Sequence, residues 1–317
     1  MSFSTGQLRL RWSSFFYHCI DMSKARLTFL GTGTSQGVPI IGCRCAVCTS
    51  ADPRDKRFRS AALVEYEGLT ILIDAGPDFR SQMLAAGVRH LDAILLTHNH
   101  KDHTGGLDDV RALNYIDRSA VEIYCEKRVL DSLKVEYSYA FAEDKYPGSP
   151  EWHIHLIDGQ PFTVRKEAYG ELTWKHDVGY GYIQPDGSFV KSRGTTVETA
   201  GVGDGEAMVI PIRGYHDQMP VLGYRFGDIA YITDMSRIPE GEFAKLHGLK
   251  HLTLNTVGYK KHHSHFSLDE AVEIARKVGA EHTWLTHLSH TFPVHEEFCK
   301  ALPEGILPAY DGLAIED

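Results

Sequence analysis

The sequence predicts an α/β protein in which two packed β-sheets are covered by helices on their outer faces. Three observations carry this expectation. Short apolar or alternating strand-like runs dominate both halves of the chain. Helix-spaced segments stand between them, with no internal repeat and no low-complexity tract. The 317 residues, 43% hydrophobic and 24% charged, supply apolar surface enough for a large core.

Residues 26–30 form a short strand that enters the glycine-rich turn Gly31-Thr32-Gly33-Thr34-Ser35-Gln36-Gly37. Residues 61–66 and 70–73 read as strands paired across Glu67-Gly68. Residues 79–86 have helical spacing and stop at Gly87. A buried strand over 91–96 runs straight into a histidine-rich loop. A helix is expected over 104–115, entered through Gly105-Gly106, then a strand over 121–124 and a helix over 129–141. Residues 154–165 return to strands. The polar, glycine-rich stretch around 168–206 reads as an insertion in the same domain and a candidate flap, with hairpin signals at Asp186-Gly187 and over 201–205. Strands resume at 207–212, 221–226, 229–233 and 252–257. Residues 268–278 make an amphipathic helix with Ser267 as N-cap and Gly279 as stop. Strands at 282–285 and 313–315 follow. The expected organisation is a flexible N-terminal extension over 1–21 and a single domain over 22–317, since Met22 directly precedes the first strand.

Charge and composition exclude some functions. Lys and Arg number 33 against 42 Asp and Glu, a net charge of −9, which disfavours broad binding to nucleic acid. No apolar run approaches the roughly 18 residues of a membrane span. Residues 1–21 lack the apolar core of a signal peptide, so a reducing, cytoplasmic compartment is expected. The six cysteines are Cys19, Cys43, Cys45, Cys48, Cys125 and Cys299. In that compartment the tight cluster Cys43-Arg44-Cys45-Ala46-Val47-Cys48 points to a metal site more than to disulfides.

The strongest chemical signal is Thr97-His98-Asn99-His100-Lys101-Asp102-His103, where a buried strand ends in a loop. Three imidazoles and a carboxylate are costly to bury unpaired. Alternate residues His98 and His100 can point one way from extended chain, and Asp102 and His103 another as the chain turns into a helix. That suits two metal ions, which activate water at neutral pH and clamp the oxygens of a displacement. A solvated polar loop is the competing reading.

This H-x-H-x-D-H pattern after an apolar strand resembles the metallo-β-lactamase fold superfamily of hydrolases. The segment Ile71-Leu72-Ile73-Asp74-Ala75-Gly76 matches a second motif, whose Asp organises the metal site without being a ligand. The resemblance implies a four-layer αββα sandwich of two mixed sheets. It implies one metal held by His98, His100 and His216, another by Asp102, His103 and His287, and Asp234 bridging both. His176, in the insertion, is the alternative to His216.

The cysteines carry a narrower resemblance, to the PhnP-type phosphoribosyl 1,2-cyclic phosphate phosphodiesterases of phosphonate breakdown. These have C-x-C-x-x-C after the first strand and a His three residues beyond the last active-site His. Cys43, Cys45, Cys48 and His290 match and imply a closed structural zinc site. The match also takes in residues 31–39, His265-Phe266-Ser267-Leu268-Asp269-Glu270-Ala271 and Pro308-Ala309-Tyr310-Asp311-Gly312. By the same resemblance His265 protonates the leaving oxygen, although the run Lys260-Lys261-His262-His263-Ser264-His265 offers three imidazoles for that role. Asp102 would orient the attacking hydroxide.

The implied protein is a dinuclear, zinc- or manganese-dependent phosphodiesterase that cleaves a small, cyclic ribose phosphodiester through a metal-bridging hydroxide. A homodimer follows the family. The competing readings are a PqqB-like oxidative cofactor-biosynthesis protein, a tRNA 3′-processing nuclease and a non-catalytic, zinc-stabilised binding module.

Overall fold

Alternating burial sets the first strand. In Arg26–Gly31, Leu27 and Phe29 face one layer, and the strand pairs antiparallel with Ala61–Tyr66 on one side and Ala314–Glu316 on the other. The computed structural model describes residues 24–317 except 147, 166–170, 176–177, 192–194, 201 and 203–206. The extension over 1–21, Cys19 and His176 lie outside the described residues.

Among the described residues one sheet has eight strands, in the order Thr196–Thr199, Trp152–Leu156, Val121–Cys125, Ala93–Leu95, Leu69–Ile73, Ala61–Tyr66, Arg26–Gly31, Ala314–Glu316. The second has seven, in the order Ile306–Pro308, His282–Thr286, His251–Asn255, Ile229–Tyr231, Met219–Phe226, Ala207–His216, Phe162–Val164. Leu27, Phe29, Ile71 and Leu95 of the first sheet meet Leu222, Tyr224, Phe226 and Tyr231 of the second in one buried layer. Outside the first sheet, Leu72, Ile94 and Ile123 pack on the helices Phe79–Ala86, Arg111–Asp117 and Lys127–Glu136. Outside the second, Leu252, Leu254 and Leu285 pack on Leu268–Val278 and His295–Ala301. These are the four layers of an αββα sandwich.

Both sheets are mixed, and their parallel strands place the site. Leu69–Ile73 runs parallel to Ala93–Leu95, and Ile229–Tyr231, His251–Asn255 and His282–Thr286 are parallel to one another. Loops leaving the C-terminal ends of such strands form a crevice suited to ligands. Two contacts lock the sheets together there. Leu222 N–H donates to Thr97 O at 3.1 Å, and the Tyr224 hydroxyl donates to Leu96 O at 2.7 Å.

The structure changes several expectations. The helix expected over 104–115 is a single turn, Lys101–Thr104, a 3₁₀ turn, Leu107–Val110, and the helix Arg111–Asp117. Gly105 and Gly106 cause the break, because the chain passes so close to its neighbour that a Cβ on Gly106 would lie 2.1 Å from Gly76 O. The helix expected over 129–141 is Lys127–Glu136 followed by the 3₁₀ turn Ser138–Ala140. The helix His295–Ala301 and strand Ile306–Pro308 are additional.

The Asp186-Gly187 hairpin forms, joining Gly179–Ile183 to Phe189–Lys191 in a small sheet completed by Glu171–Lys175. Its described contacts do not make a flap. Leu172 N–H bonds Arg118 O, and Tyr182 OH meets His153, at the starts of the strands Val121–Cys125 and Trp152–Leu156. Those are the sheet ends opposite the histidine-rich loop.

Candidate metal centre

Six of the expected site residues sit where strands end. His98 and His100 follow Ala93–Leu95, Asp74 follows Leu69–Ile73, and Asp234 follows Ile229–Tyr231. His216 ends Ala207–His216, and His287 follows His282–Thr286. Asp102 and His103 lie in the one-turn helix capped by His100. Asp74, Asp234 and His287 adopt positive φ, at 64°, 56° and 57°. Non-glycine residues take that conformation at a cost, and it turns each of these side chains back across its strand end. The Asn255 side chain clamps the turn after Asp234, accepting from Met235 N–H and donating to Met235 O.

Hydrogen bonds fix which ring nitrogens remain free. One oxygen of Asp74 accepts from His103 Nδ1 at 2.7 Å and from Thr97 Oγ1 at 2.8 Å. With its proton given to Asp74, Thr97 Oγ1 accepts from His98 Nδ1 at 2.9 Å. His216 Nδ1 donates to Asp234 O at 3.1 Å. In all three rings Nε2 is left to face the centre. Buried His98 Nε2, His103 Nε2, His287 Nε2 and His265 Nδ1 have no hydrogen-bond partner. A carboxylate that holds the far nitrogen of a ligand imidazole is the usual support of a metal site.

The free atoms converge. Asp234 Oδ1 lies 3.1 Å from His287 Nε2, and its Oδ2 lies 3.3 Å from His103 Nε2. Asp102 Oδ2 is also 3.3 Å from His103 Nε2. These pairs are close but lack hydrogen-bond geometry, as donors aimed at a common cation would be. Asp102, His103, Asp234 and His287 form one group whose ligand atoms lie within 4.8 Å of one another, and His216, Asp234 and His265 form another. Asp234 belongs to both. His98 and His100 stand beside the second group, with ring centroids 5.9 Å and 4.9 Å from His216. His265 belongs to that second group, with its ring centroid 4.5 Å from His216 and 4.6 Å from His287.

Electrostatics suit cations. Burial pushes the His98 pKa well down, and the nearby His103 charge adds to it. Burial also lowers His100 and His216, so these rings are neutral and can offer lone pairs. Burial pushes His265 down to about 2. Asp102 and Asp234 resist burial and stay below the usual carboxylate range because imidazolium charge faces them. His103 differs. Burial opposes its charge, but Asp234, Asp74 and Asp102 surround the ring and raise it well above 6.5. A proton on His103 supplies part of the positive charge that the carboxylates would otherwise take from a metal.

The cysteine cluster assembles separately. Cys43, Cys45 and Cys48 Sγ lie 3.2, 3.5 and 3.6 Å from His290 Nδ1. The Cys48 N–H bond lowers Cys45 to about 6, and burial raises Cys48 to about 11. Three thiols and one imidazole about one point are the donor set of a structural zinc. The link to the main site is short, since Leu288 N–H bonds Thr32 O at 2.8 Å and so ties the segment from His287 to His290 to the glycine-rich turn. Sequence reasoning left out Thr97 and Asn255; the signal for Thr97 was its place directly before His98.

Residues 70–288 match the Beta-lactamase superfamily domain. The crystal structure of a new diphosphatase from the PhnP family is 38% identical, with a TM-score of 0.74 over 93% of this chain and 97% of that one. An octanoyltransferase from Porphyromonas gingivalis is 38% identical over 91% of this chain and 51% of its own length, so the chain spans about half of that curated relative. Zinc-bound PqqB from Methylobacterium extorquens is 18% identical with a TM-score of 0.61 over 92% of this chain and 99% of that one, a likeness of fold. No helix among the described residues is long and apolar enough to cross a membrane. The chain belongs to the β-lactamase superfamily, as a metallo-β-lactamase fold hydrolase of PhnP type.

Proposed function

We propose that the chain is a dinuclear metal-dependent phosphodiesterase acting on a small phosphodiester, with a cyclic ribose phosphate as the favoured class. The observation that carries this reading is the position of Asp234, whose two oxygens face His287 and His103 while its carboxylate joins both donor groups. His98, His100 and His216 would hold one cation with Asp234, and Asp102, His103 and His287 the other. Zinc and manganese both accept this nitrogen and oxygen donor set. Two bound divalent cations supply Lewis acidity, lowering the pKa of water and neutralising charge on phosphoryl oxygens. Cys43, Cys45, Cys48 and His290 would hold a third, structural zinc.

The chain's own groups do the rest. Asp74 and Thr97 keep the His103 and His98 rings oriented. Asp102, whose side chain keeps 14% of its surface exposed, accepts a hydrogen bond from the attacking water and directs its lone pair at phosphorus. His265, neutral by burial, donates a hydrogen bond to the departing oxygen, and the proton that this oxygen takes up as the P–O bond breaks is the one released by the attacking water. Seven ligands, five neutral imidazoles and two carboxylates, leave two divalent cations with net positive charge, which favours an anionic substrate.

The 38% identity to a PhnP-family diphosphatase favours a second reading, cleavage of a diphosphate bond by the same groups. Acyl transfer is the activity of a relative of which the chain spans about half, and the donors assembled here add no argument for it. The test is a kinetic panel with zinc- or manganese-loaded protein. Hydrolysis of bis(p-nitrophenyl) phosphate and a 2′,3′-cyclic nucleotide supports the diester reading. Turnover of ADP-ribose alone supports the diphosphate reading, and inactivity on all three contradicts both.

A further inference from the structure

The glycine-rich turn over 31–37 and the segment Pro308-Ala309-Tyr310-Asp311-Gly312 contribute no ligand to either metal site, yet they meet beside the segment that carries His287 and His290. The meeting point is Thr32, which is fully buried. Its hydroxyl donates to Asp311 Oδ1 at 2.7 Å and accepts from Arg57 Nη1 at 2.8 Å. Its carbonyl accepts from Leu288 N–H at 2.8 Å, directly after the ligand His287. Gly33 continues the same pairing, bridged to Arg59 on one side and to Leu288 on the other.

Arg57 is the other half of this joint. It is 6% exposed, and a buried guanidinium is costly unless its N–H groups are occupied. Nη1 also donates to Ala309 O at 2.6 Å, and Nη2 donates to His295 Nδ1 at 3.4 Å. Burial and the Arg57 charge push His295 down to about 4, so the ring is neutral and Nδ1 can accept. Burial lowers the pKa of Arg57 itself, and the charges of Asp311 and Asp55 counter it. The Arg57 backbone pairs in both directions with Val38, at 2.7 and 2.8 Å, and Val38 packs on Val47 and Cys48. Asp311 closes the ring of contacts, since its Oδ2 accepts from Phe58 N–H at 2.6 Å. One hydroxyl thus links the chain that carries the cysteines to the chain that carries His287 and His290, although Cys43 and His290 are 247 residues apart.

We propose that Thr32, Arg57 and Asp311 form a positioning joint that sets the cysteine-held and the histidine-held metal sites together, so that loosening it weakens both. The joint rests on the dinuclear reading and extends it to residues that bond no ligand side chain in their described contacts. They act through the backbone of the segment from His287 to His290. Hydrogen bonds aimed at single atoms fix direction as well as distance, which apolar packing does not. Thr32 is held on both sides, to the cysteine segment through Arg57 and to the histidine segment through its own carbonyl.

The test uses Thr32→Val, which removes the hydroxyl and keeps the shape, beside Thr32→Ser, which keeps the hydroxyl. In metal-free protein, hydrogen exchange followed by mass spectrometry should show faster exchange in Thr32→Val over residues 286–291, with the helix Leu268–Val278 unaltered. In metal-loaded protein, chelator competition should show affinity lowered about 10-fold at the cysteine site and at the histidine site together. Titration with cobalt tells the two apart, because only the cysteine site gives thiolate charge-transfer absorption. Thr32→Ser should match wild type in every readout. Where Thr32→Val does not fold, Arg57→Lys carries the same comparison, since a lone ammonium cannot span Thr32, Ala309 and His295. Faster exchange confined to the segment, with parallel affinity losses that serine restores, supports the proposal. Exchange that rises across the whole molecule, unaltered exchange in the segment, or an affinity loss at one metal site only or at neither would overturn it. If wild type takes up no metal, the dinuclear reading fails, and exchange in the metal-free protein alone decides on the joint.

Discussion

The Asp74 carboxylate holds the His103 ring at 2.7 Å, with both side chains almost fully buried. That contact decides which nitrogen of His103 faces the metal donors. Through Thr97 the same oxygen also orients His98. Asp74→Ala should therefore weaken metal binding by about 10- to 100-fold without removing a ligand. A chelator-competition titration measures this directly. Unchanged affinity in a folded variant would refute the orienting role.

Gly76 tests how tightly this corner is packed. A Cβ there would sit 2.0 Å from the backbone oxygen of Asp102. Gly76→Ala must push the Asp102–His103 turn outward, at a cost on the order of 1–3 kcal/mol for overpacking. Denaturant unfolding should show that loss, with metal affinity falling alongside it. Wild-type stability and affinity together would mean that the turn yields freely.

The pH dependence of metal binding follows from His103. Its folded-state pKa is raised well above 6.5 by the carboxylates around it. In the metal-free chain this group stabilises the fold fully below 6.5, and the contribution is lost as pH rises through the raised value. Metal binding works in the opposite direction, because Nε2 must lose its proton to become a ligand. The Tm difference between metal-loaded and metal-free protein should therefore widen from pH 6 to pH 9. A gap that stays constant or narrows contradicts the assignment of His103.

The cysteine cluster makes a separate prediction. Cys48 is the buried member, 3.6 Å from His290 Nδ1, and Cys48→Ser replaces a soft thiolate with a poor zinc ligand. Elemental analysis should show one zinc fewer per chain. Activity should fall as well, because His290 and His287 share a short segment. A full metal complement in the variant would exclude the cluster as a zinc site.

Much of this architecture was legible in the sequence because its signals are local. The helix over 268–278 announces itself through Ser267, Glu270 and Gly279, and the structure shows the complete capping box. The dense motif from His98 to His103 is equally local. Less legible were features set by distant contacts. Gly105 and Gly106 looked like a helix entry, but their close approach to the chain around Gly76 breaks the helix instead. The short strand Ile306–Pro308 depends on pairing with His282–Thr286 and has little pattern of its own. The run from Lys260 to His265 offers three imidazoles and no local signal to choose among them; the packing of the segment before the helix Leu268–Val278 is what sets His265 beside His216, His287 and Asp234. The described strands of the insertion gave a correct hairpin but no hint of which end of the sheet they would occupy.

The most direct measurement is an anomalous-scattering map of crystals grown with zinc or manganese. The account predicts two strong peaks bridged by Asp234, one toward His216 and one toward His103, Asp102 and His287, and a third peak among Cys43, Cys45, Cys48 and His290. Density confined to the cysteines, or peaks that avoid Asp234 after prolonged metal soaking, would contradict it.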